Sequence, residues 1–213
     1  MSRSEAFGSI LAGISVIPVV VIEDAAAAVP LARALAAGGL RVIEITLRTG
    51  AALHAIEVIA GEVEDAIVGA GTILSKGQLV AAARAGARFL VSPGMNSDLL
   101  KAAEDSPIPF MPGAATASEV MALMDAGYTI QKFFPAEPAG GLAYLKALAA
   151  PLPAIRFCPT GGIGKDNAET YLALGNVACV GGSWVAPADV IAKGDWTRIE
   201  ALAREASRLG KAA

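Results

Sequence analysis

The sequence has few of the residues on which metal, disulfide and thiol chemistry depend. Its 213 residues include one histidine, His54, and two cysteines, Cys158 and Cys179. A single histidine excludes a metal site built on histidines, and no cluster of carboxylates offers another set of ligands. Each cysteine lies in an apolar, strand-like stretch, which favours buried thiols in a reducing compartment over a disulfide or a catalytic thiol. We therefore expect a cytoplasmic protein that uses no metal or other cofactor.

Long apolar runs, basic clusters and nucleotide-binding motifs are also missing. No apolar run reaches the roughly 20 residues that a membrane-spanning helix needs. The formal net charge is −3 and the basic residues are scattered, so the sequence has no electrostatic footprint for nucleic acid. Neither Gly-x-Gly-x-x-Gly after the first predicted strand nor Gly-x-x-x-x-Gly-Lys-Ser/Thr occurs. These absences argue against partners such as membranes and nucleic acids, and against a nucleotide-binding open sheet.

Strand-like and helix-like segments alternate along the chain. The strand-like segments are short and apolar, at 16–22, 41–47, 66–73, 89–92, 109–112, 129–134, 155–160 and 178–181. The helical segments that follow them are 25–37, 51–60, 76–85, 97–104, 118–126, 141–149, 166–174 and a last stretch to about 209 with a break near Gly194. Asp24 and Ser118 are candidate N-caps, and Gly38-Gly39 ends the first helix.

This alternation predicts an α/β fold with a parallel sheet. Eight strand–helix units with no strand left over are the pattern of a (β/α)8 TIM barrel. A doubly wound open sheet also alternates, but the missing glycine motifs disfavour it. With 54% hydrophobic residues the chain can bury one large core, and we see no linker or low-complexity segment. We therefore predict one domain over residues 1–213.

A lysine interrupts the apolar, aromatic segment Gln131-Lys132-Phe133-Phe134-Pro135-Ala136-Glu137. Lysine is rarely buried, because removing an ammonium from water is costly unless it is paired or loses its proton. A buried neutral lysine is a nucleophile that can form a Schiff base with a carbonyl. The alternative is a strand-end lysine whose charge reaches solvent. This segment alone does not decide between the two, and we expect Phe133 and Phe134 to wall the lysine.

The second predicted strand places an acidic residue on its inner face. Glu44, Thr46 and Arg48 alternate with apolar residues and therefore point into the barrel. This strand lies opposite the sixth in an eight-stranded barrel, so Glu44 and Lys132 are expected to approach each other. A structural ion pair, with Arg48 as a second partner, is one interpretation; a general base beside an amine nucleophile is the other and the favoured one. Thr72 shares the inward phase on the third strand, and with Arg48 it is suited to a substrate carboxylate.

Two glycine-rich turns follow the seventh and eighth predicted strands. They are Pro159-Thr160-Gly161-Gly162-Ile163-Gly164 and Gly181-Gly182-Ser183-Trp184. Barrels often bind a phosphate at these two loops, where backbone N–H groups converge. Each turn alone is weak evidence because tight turns need glycine in any case. Together they favour a phosphate site, with Pro93 after the fourth strand shaping the mouth of the pocket.

The motifs resemble those of one enzyme family along nearly the whole chain. They are Gly-Leu-Arg-Val-Ile-Glu-Ile-Thr-Leu-Arg-Thr (39–49), Val-Gly-Ala-Gly-Thr (68–72), Val-Ser-Pro-Gly (91–94), Lys-Phe-Phe-Pro-Ala-Glu (132–137), Phe-Cys-Pro-Thr-Gly-Gly-Ile (157–163) and Gly-Gly-Ser-Trp (181–184). The chain resembles the 2-keto-3-deoxy-6-phosphogluconate (KDPG) aldolases, which also cleave 4-hydroxy-2-oxoglutarate (KHG). The resemblance implies a class I (Schiff-base) aldolase of the Entner–Doudoroff pathway on a (β/α)8 barrel, a small-molecule substrate, and a homotrimer.

The resemblance also implies a role for each site residue. Lys132 resembles the Schiff-base lysine and Glu44 the general acid/base. The pyruvate carboxylate would be held by Arg48 and Thr72. The remaining positions are Gly161, Gly162 and Ser183 for the phosphate, and Thr160, Pro93 and Phe134 for the pocket. A phosphogalactonate aldolase, a phosphate-binding barrel isomerase and a non-catalytic sugar-phosphate-binding barrel are the alternatives.

Overall fold

Short apolar segments form the strands, and alanine-rich segments form most of the helices that connect them. A computed structural model describes residues 3–210, and none of the helices in this range is long and apolar enough to cross a membrane. The strands are β1 Val16–Val20, β2 Val42–Thr46, β3 Ile67–Gly71, β4 Leu90–Val91, β5 Phe110–Met111, β6 Gly113–Ala114, β7 Ile130–Phe133, β8 Arg156–Pro159 and β9 Val180–Gly182. The helices are α1 Arg3–Ile10, α2 Ala28–Ala37, α3 Ala52–Glu62, α4 Lys76–Arg84, α5 Ser97–Glu104, α6 Ala117–Asp125, α7 Gly141–Ala149, α8 Ala168–Leu172, α9 Ala188–Ala192 and α10 Trp196–Ala206.

The paired strands are parallel, and they form a curled α/β sheet in two portions. One portion has the order β5-β4-β3-β2-β1-β9, and the other has the order β6-β7-β8. The predicted fifth strand at 109–112 is only β5, and a second short strand, β6, follows outside the predicted range. Pro112 lies between the two and has no N–H to give to a ladder. The predicted parallel α/β fold is otherwise confirmed.

Side-chain caps set where several helices begin. Asp24 accepts a hydrogen bond from the N–H of Ala26 at 2.9 Å, as predicted, and a short 3-10 turn then leads into α2. The prediction that Ser118 caps the helix at 118–126 is wrong. Thr116 is the N-cap of α6 and forms a reciprocal capping box with Glu119, which places Ser118 inside the first turn.

The core has two parts, one on each side of the sheet. The larger lies between the strands and the surrounding helices. The smaller lies inside the curled sheet near the amino ends of the strands and includes Ile17, Val42 and Phe89. Helix α1, which the sequence did not predict, adds Phe7 to this inner part, with its ring edge-on to Phe89 at 5.8 Å. Gly8 and the polar residues of α1 hide its helical pattern in the sequence.

Cys158 and Cys179 belong to the same inner cluster. Both are buried free thiols, as predicted. A hydrogen bond with Cys158 and burial raise the pKa of Cys179 well above its usual range. Cys179 therefore remains a protonated, apolar-like side chain of the core.

Candidate active site

Lys132 and Glu44 meet inside the curled sheet. Lys132 Nζ donates to Glu44 Oε1 at 3.1 Å, and the two side chains are only 6% and 2% exposed. Alternation along β7 explains the direction of the lysine, because its neighbour Gln131 faces outward and donates to the carbonyls of Val120 and Tyr128. An amine and a carboxylate from strands that are not neighbours in the sheet are thus brought into direct contact.

Small neighbours make room for this pair. A β-carbon at Gly71 would overlap the Glu44 carboxylate, so only glycine fits there without moving Glu44. Lys132 lies in register with Gly113 on one side and Cys158 on the other, both of which are small. These small neighbours therefore leave the Glu44 carboxylate and the Lys132 amine free of large apolar side chains on these sides.

The buried pair is a poor source of stability. Removing both charges from water costs several kcal/mol per ion, and replacing such pairs by apolar residues of similar volume is often neutral or stabilising. The only side-chain hydrogen bond of Glu44 within residues 3–210 is the one to Lys132. A pair this isolated and this buried is better explained by chemistry than by folding.

The two phenylalanines after the lysine lie on opposite sides of the strand. Phe134 is two residues from Lys132 and shares its face; its ring centre is 5.4 Å from Nζ. Phe133 is buried in the outer core, stacked on Tyr144 at 5.9 Å and edge-on to Phe157. The expectation that Phe133 walls the lysine is therefore wrong, because adjacent residues of a strand point to opposite faces.

A pocket of about 460 Å³ opens at the carboxyl ends of the strands. Six predicted site residues line it: Arg48, Phe134, Thr160, Gly161, Gly162 and Ser183. Residues that were not predicted also line it: Val19 and Val21 in and just after β1, Ile163 in the turn after β8, Gly182 at the end of β9, and Ala186, Pro187 and Ala188 in the segment after β9. Because the ring of Phe134 lies over Lys132 Nζ and also lines this pocket, it joins the buried pair to the open cavity.

Arg48 brings a positive charge to this pocket. It follows β2 by two residues, and no hydrogen bond or ion pair of its guanidinium occurs within the described part of the chain. Lys132, which is not among the residues that line the pocket, is paired with Glu44. Arg48 is therefore available to an anionic ligand.

Thr72 and Pro93 lie outside the lining of this pocket. Thr72 directly follows Gly71, the residue against the Glu44 carboxylate, and has a φ of +60°. This left-handed conformation is rare for a β-branched residue, and such strain is often found at functional sites. The carbonyl of Pro93 lies where a β-carbon at Gly113 would be, so Pro93 borders the strand next to Lys132.

The turn after β8 presents unused backbone donors. Gly161 and Gly162 have φ values of +97° and +82°, which glycine adopts without strain. Within residues 3–210, the N–H groups of Gly162 and Ile163 donate no hydrogen bond, although both residues line the pocket. The two N–H groups that have no partner within the described residues make this part of the pocket suited to an anion.

Sequence reasoning gave no role to three polar residues behind this turn. Tyr171 donates a short hydrogen bond to Glu137, and Asn167 Nδ2 lies 3.4 Å from the same carboxylate oxygen. Burial and the neighbouring Glu137 carboxylate raise the pKa of Tyr171 above its ordinary value, so its hydroxyl remains a donor. Glu137 lies in the segment 131–137 that the sequence singled out, but no spacing links it to Asn167 or Tyr171.

Comparison with known proteins agrees with this geometry. The family model for KDPG and KHG aldolase matches residues 8–202. The KHG/KDPG aldolase of Escherichia coli K12 is 54% identical over 93% of this chain and 93% of its own length. The KDPG aldolase of Legionella pneumophila, solved with pyruvate captured at low pH as a covalent carbinolamine intermediate, is 47% identical with a TM-score of 0.90, over 92% of this chain and 96% of its own.

A second solved structure covers still more of the chain. The KDPG aldolase of Zymomonas mobilis ZM4, solved with 3-phosphoglycerate, is 48% identical with a TM-score of 0.92, over 97% of each chain. Family match, sequence identity and fold thus agree over nearly the full length. The chain belongs to the KDPG and KHG aldolase family.

Proposed function

We infer that this protein is a class I aldolase that cleaves KDPG to pyruvate and D-glyceraldehyde 3-phosphate, and KHG to pyruvate and glyoxylate. The observation that carries this inference is the buried contact of Lys132 Nζ with Glu44, which Phe134 joins to a pocket that Arg48 also lines. The relatives support it, because one is named KHG/KDPG aldolase and another holds pyruvate as a covalent carbinolamine. The first reaction places the protein in the Entner–Doudoroff pathway.

Lys132 is the proposed nucleophile. Its neutral amine attacks the C2 ketone of KDPG, and the carbinolamine that forms loses water to give a protonated imine. The protonated imine nitrogen is the electron sink, and it lies two bonds from C3, one end of the bond that breaks. When C3–C4 cleaves, its electron pair moves toward the imine and forms an enamine, and glyceraldehyde 3-phosphate leaves.

Glu44 is the proposed acid and base. Its carboxylate, 3.1 Å from Nζ, assists the proton transfers of imine formation. It then takes the C4 hydroxyl proton as C3–C4 breaks. The enamine is afterwards protonated at C3, and water hydrolyses the resulting imine to release pyruvate and the free lysine.

Two groups of residues hold the ends of the substrate in this proposal. Arg48, with its unpaired guanidinium in the pocket, and the strained Thr72 are assigned to the carboxylate. The turn Gly161-Gly162 and Ser183 are assigned to the phosphate, and 3-phosphoglycerate in the Zymomonas relative supports a phosphate-bearing ligand. Because the phosphate is far from the reacting bond, these contacts mainly orient the substrate.

Replacing Ser183 with alanine should distinguish the phosphate site from the reacting centre. A hydrogen bond to a charged group contributes about 1.5–3 kcal/mol, so kcat/KM for KDPG should fall roughly 10- to 100-fold. KHG, which has no phosphate, should be cleaved as before. Steady-state kinetics on both substrates measure this, with Ser207→Ala, a serine of the segment after α10, as the control. Equal losses on both substrates would contradict the placement of the phosphate.

Borohydride reduction in the presence of pyruvate tests the Schiff-base route. We expect a pyruvate-derived mass on the peptide that contains Lys132 and on no other lysine peptide. No adduct on a folded protein would exclude the aldolase and return Lys132 to a structural ion pair. It would also revive the alternatives of a phosphate-binding isomerase, which forms no covalent adduct, and a non-catalytic binding protein. Cleavage of KDPG compared with its C4 epimer separates this enzyme from a phosphogalactonate aldolase.

The closed (β/α)8 barrel, the single domain and the assembly are further parts of the proposal. Isolated parallel bridges at Phe157↔Val177 and Thr160↔Gly181 link the two portions of the sheet, which supports closure into one barrel. The single domain over residues 1–213 stays a prediction. The homotrimer is implied by the family resemblance alone and stays a prediction. Light scattering that gives a mass other than three chains would exclude the trimer. The cytoplasmic location stays a prediction, testable by fractionation.

A further inference from the structure

In the turn 161–164, two backbone carbonyl groups accept hydrogen bonds, whereas two backbone N–H groups have no acceptor within residues 3–210. The carbonyl of Gly161 accepts from the N–H of Glu137 at 3.0 Å. The carbonyl of Gly162 accepts from Asn167 Nδ2 at 3.0 Å. In a planar trans peptide the C=O and N–H point in opposite directions. Anchoring these two carbonyls therefore turns the N–H groups of Gly162 and Ile163 away from Glu137 and Asn167.

Those two N–H groups belong to residues that line the pocket. Neither donates a hydrogen bond within residues 3–210. Two successive unpaired N–H groups in a glycine turn form a concave anion site only when both peptide planes keep their orientation. The orientation of these planes depends on the groups that hold Gly161 and Gly162 from behind.

A connected set of side chains supports the anchors. Tyr171, which is fully buried, donates to Glu137 Oε1, and Asn167 Nδ2 lies 3.4 Å from the same oxygen. Asn167 Oδ1 in turn accepts from the N–H of Gly164 at 2.8 Å. The stem of Glu137 occupies the place of a β-carbon at Gly162. Each of the three side chains is therefore held by another member of the set or by the turn itself.

We propose that Glu137, Asn167 and Tyr171 are positioning residues that hold the turn 161–164 in the form that accepts the substrate phosphate. None of the three lines the pocket, so they act through the turn and not by touching the substrate. This inference rests on the phosphate site proposed above. It makes phosphate selectivity depend on residues outside the pocket, and it gives the Glu137 end of the segment 131–137 a role separate from that of Lys132.

Two substitutions each remove one donor from this set. Tyr171→Phe removes the hydroxyl that holds Glu137. Asn167→Asp keeps an acceptor for the N–H of Gly164 but loses the donor to the carbonyl of Gly162 and places a second carboxylate beside Glu137. We expect kcat/KM for KDPG to fall roughly 10-fold in the first and 10- to 100-fold in the second, mainly through KM. Cleavage of KHG and borohydride trapping of pyruvate should change less than about 2-fold.

Tyr144→Phe is the matched control for the loss of a tyrosine hydroxyl. The Tyr144 hydroxyl accepts from the N–H of Ala117 at 3.0 Å and so joins α7 to α6 away from the turn. This variant should leave the ratio of kcat/KM for KDPG to kcat/KM for KHG unchanged. Asn167 is less buried than Tyr171, so Asn167→Asp remains informative if Tyr171→Phe does not fold.

Ser183→Ala measured in parallel separates this inference from the phosphate site itself. In one outcome, Ser183→Ala lowers kcat/KM for KDPG but not for KHG, whereas Tyr171→Phe and Asn167→Asp lower kcat/KM for both substrates equally or for neither. The positioning role is then wrong and the phosphate site stands. If Tyr171→Phe and Asn167→Asp lower kcat/KM for KDPG alone and Ser183→Ala does not, the positioning role holds and only the role of the serine fails. If none of the three is selective, the phosphate site and the positioning role both fail.

Discussion

Lys132→Met should lower kcat for KDPG cleavage roughly 10⁵-fold or more, the size of the loss when an enzyme's nucleophile is removed. Methionine has a similar length and no amine, so neither the carbinolamine nor the imine can form on residue 132. Cleavage of KHG should fall equally, because both reactions start from the same C2 carbonyl. Single-turnover assays on both substrates at high enzyme concentration measure the residual rates, and borohydride should trap no pyruvate on the variant.

Lys146→Met is the control for this experiment. Lys146 is an exposed lysine in the last turn of α7, the helix that follows the strand of Lys132. We expect its replacement to leave both activities within about 2-fold of the parent, since surface substitutions rarely change more. If Lys132→Met retained a hundredth of the parent kcat, covalent catalysis by Lys132 would be contradicted.

A loss of folding must be distinguished from a loss of chemistry. Lys132→Met leaves the buried Glu44 carboxylate without its partner, which costs about 3–5 kcal/mol in comparable pairs. The double variant Lys132→Met/Glu44→Met removes both charges and should recover most of that stability. Denaturant unfolding of the parent, single and double variants measures it. A double variant that is stable but inactive would assign the pair to catalysis, whereas one as unstable as the single variant would assign it to the fold.

The alternation of strands and helices was predictable because most of these segments carry the apolar periodicity of a strand or of a helix. Helices α5 and α7 begin and end at the predicted residues, and the pocket lies at the carboxyl ends of the strands. Two features depended on information that periodicity does not contain. Helix α1 is held by the contact of Phe7 with Phe89 and not by an amphipathic pattern of its own. The fifth strand breaks where Pro112 cannot donate.

The two halves of the site differ in how far the sequence could predict them. Strand alternation placed Glu44 on an inner face, and the opposition of the second and sixth strands in a barrel predicted that Lys132 approaches it. Their 3.1 Å contact confirms that they meet. Alternation applied to the strand of Lys132 would have turned Phe133 outward. The hydrogen bonds of Glu137 with Asn167 and Tyr171 could not be predicted, because they depend on the path of a glycine turn with positive φ values.

Glu44→Gln should separate proton transfer from nucleophilic attack. Glutamine has nearly the shape of glutamate, so it fits beside Gly71, but it cannot accept a proton. We expect kcat for KDPG and KHG to fall roughly 100- to 10,000-fold, the range for loss of a general acid or base. Lys132 is still present, so prolonged incubation with pyruvate and borohydride should still give the adduct, although more slowly than in the parent.

The comparison of these two measurements decides the role of Glu44. If the carboxylate acts as acid and base, cleavage is lost while the adduct still accumulates, since removing a proton-transfer group slows imine formation without removing the amine. If Glu44 only holds Lys132 in place, Glu44→Gln, which can still accept a hydrogen bond from Nζ, should keep most of its activity. Glu57→Gln, an exposed carboxylate of α3 that contacts His54, is the control for the chemical change. Near-parent cleavage by Glu44→Gln would leave the proton transfers to another group, such as a bound water.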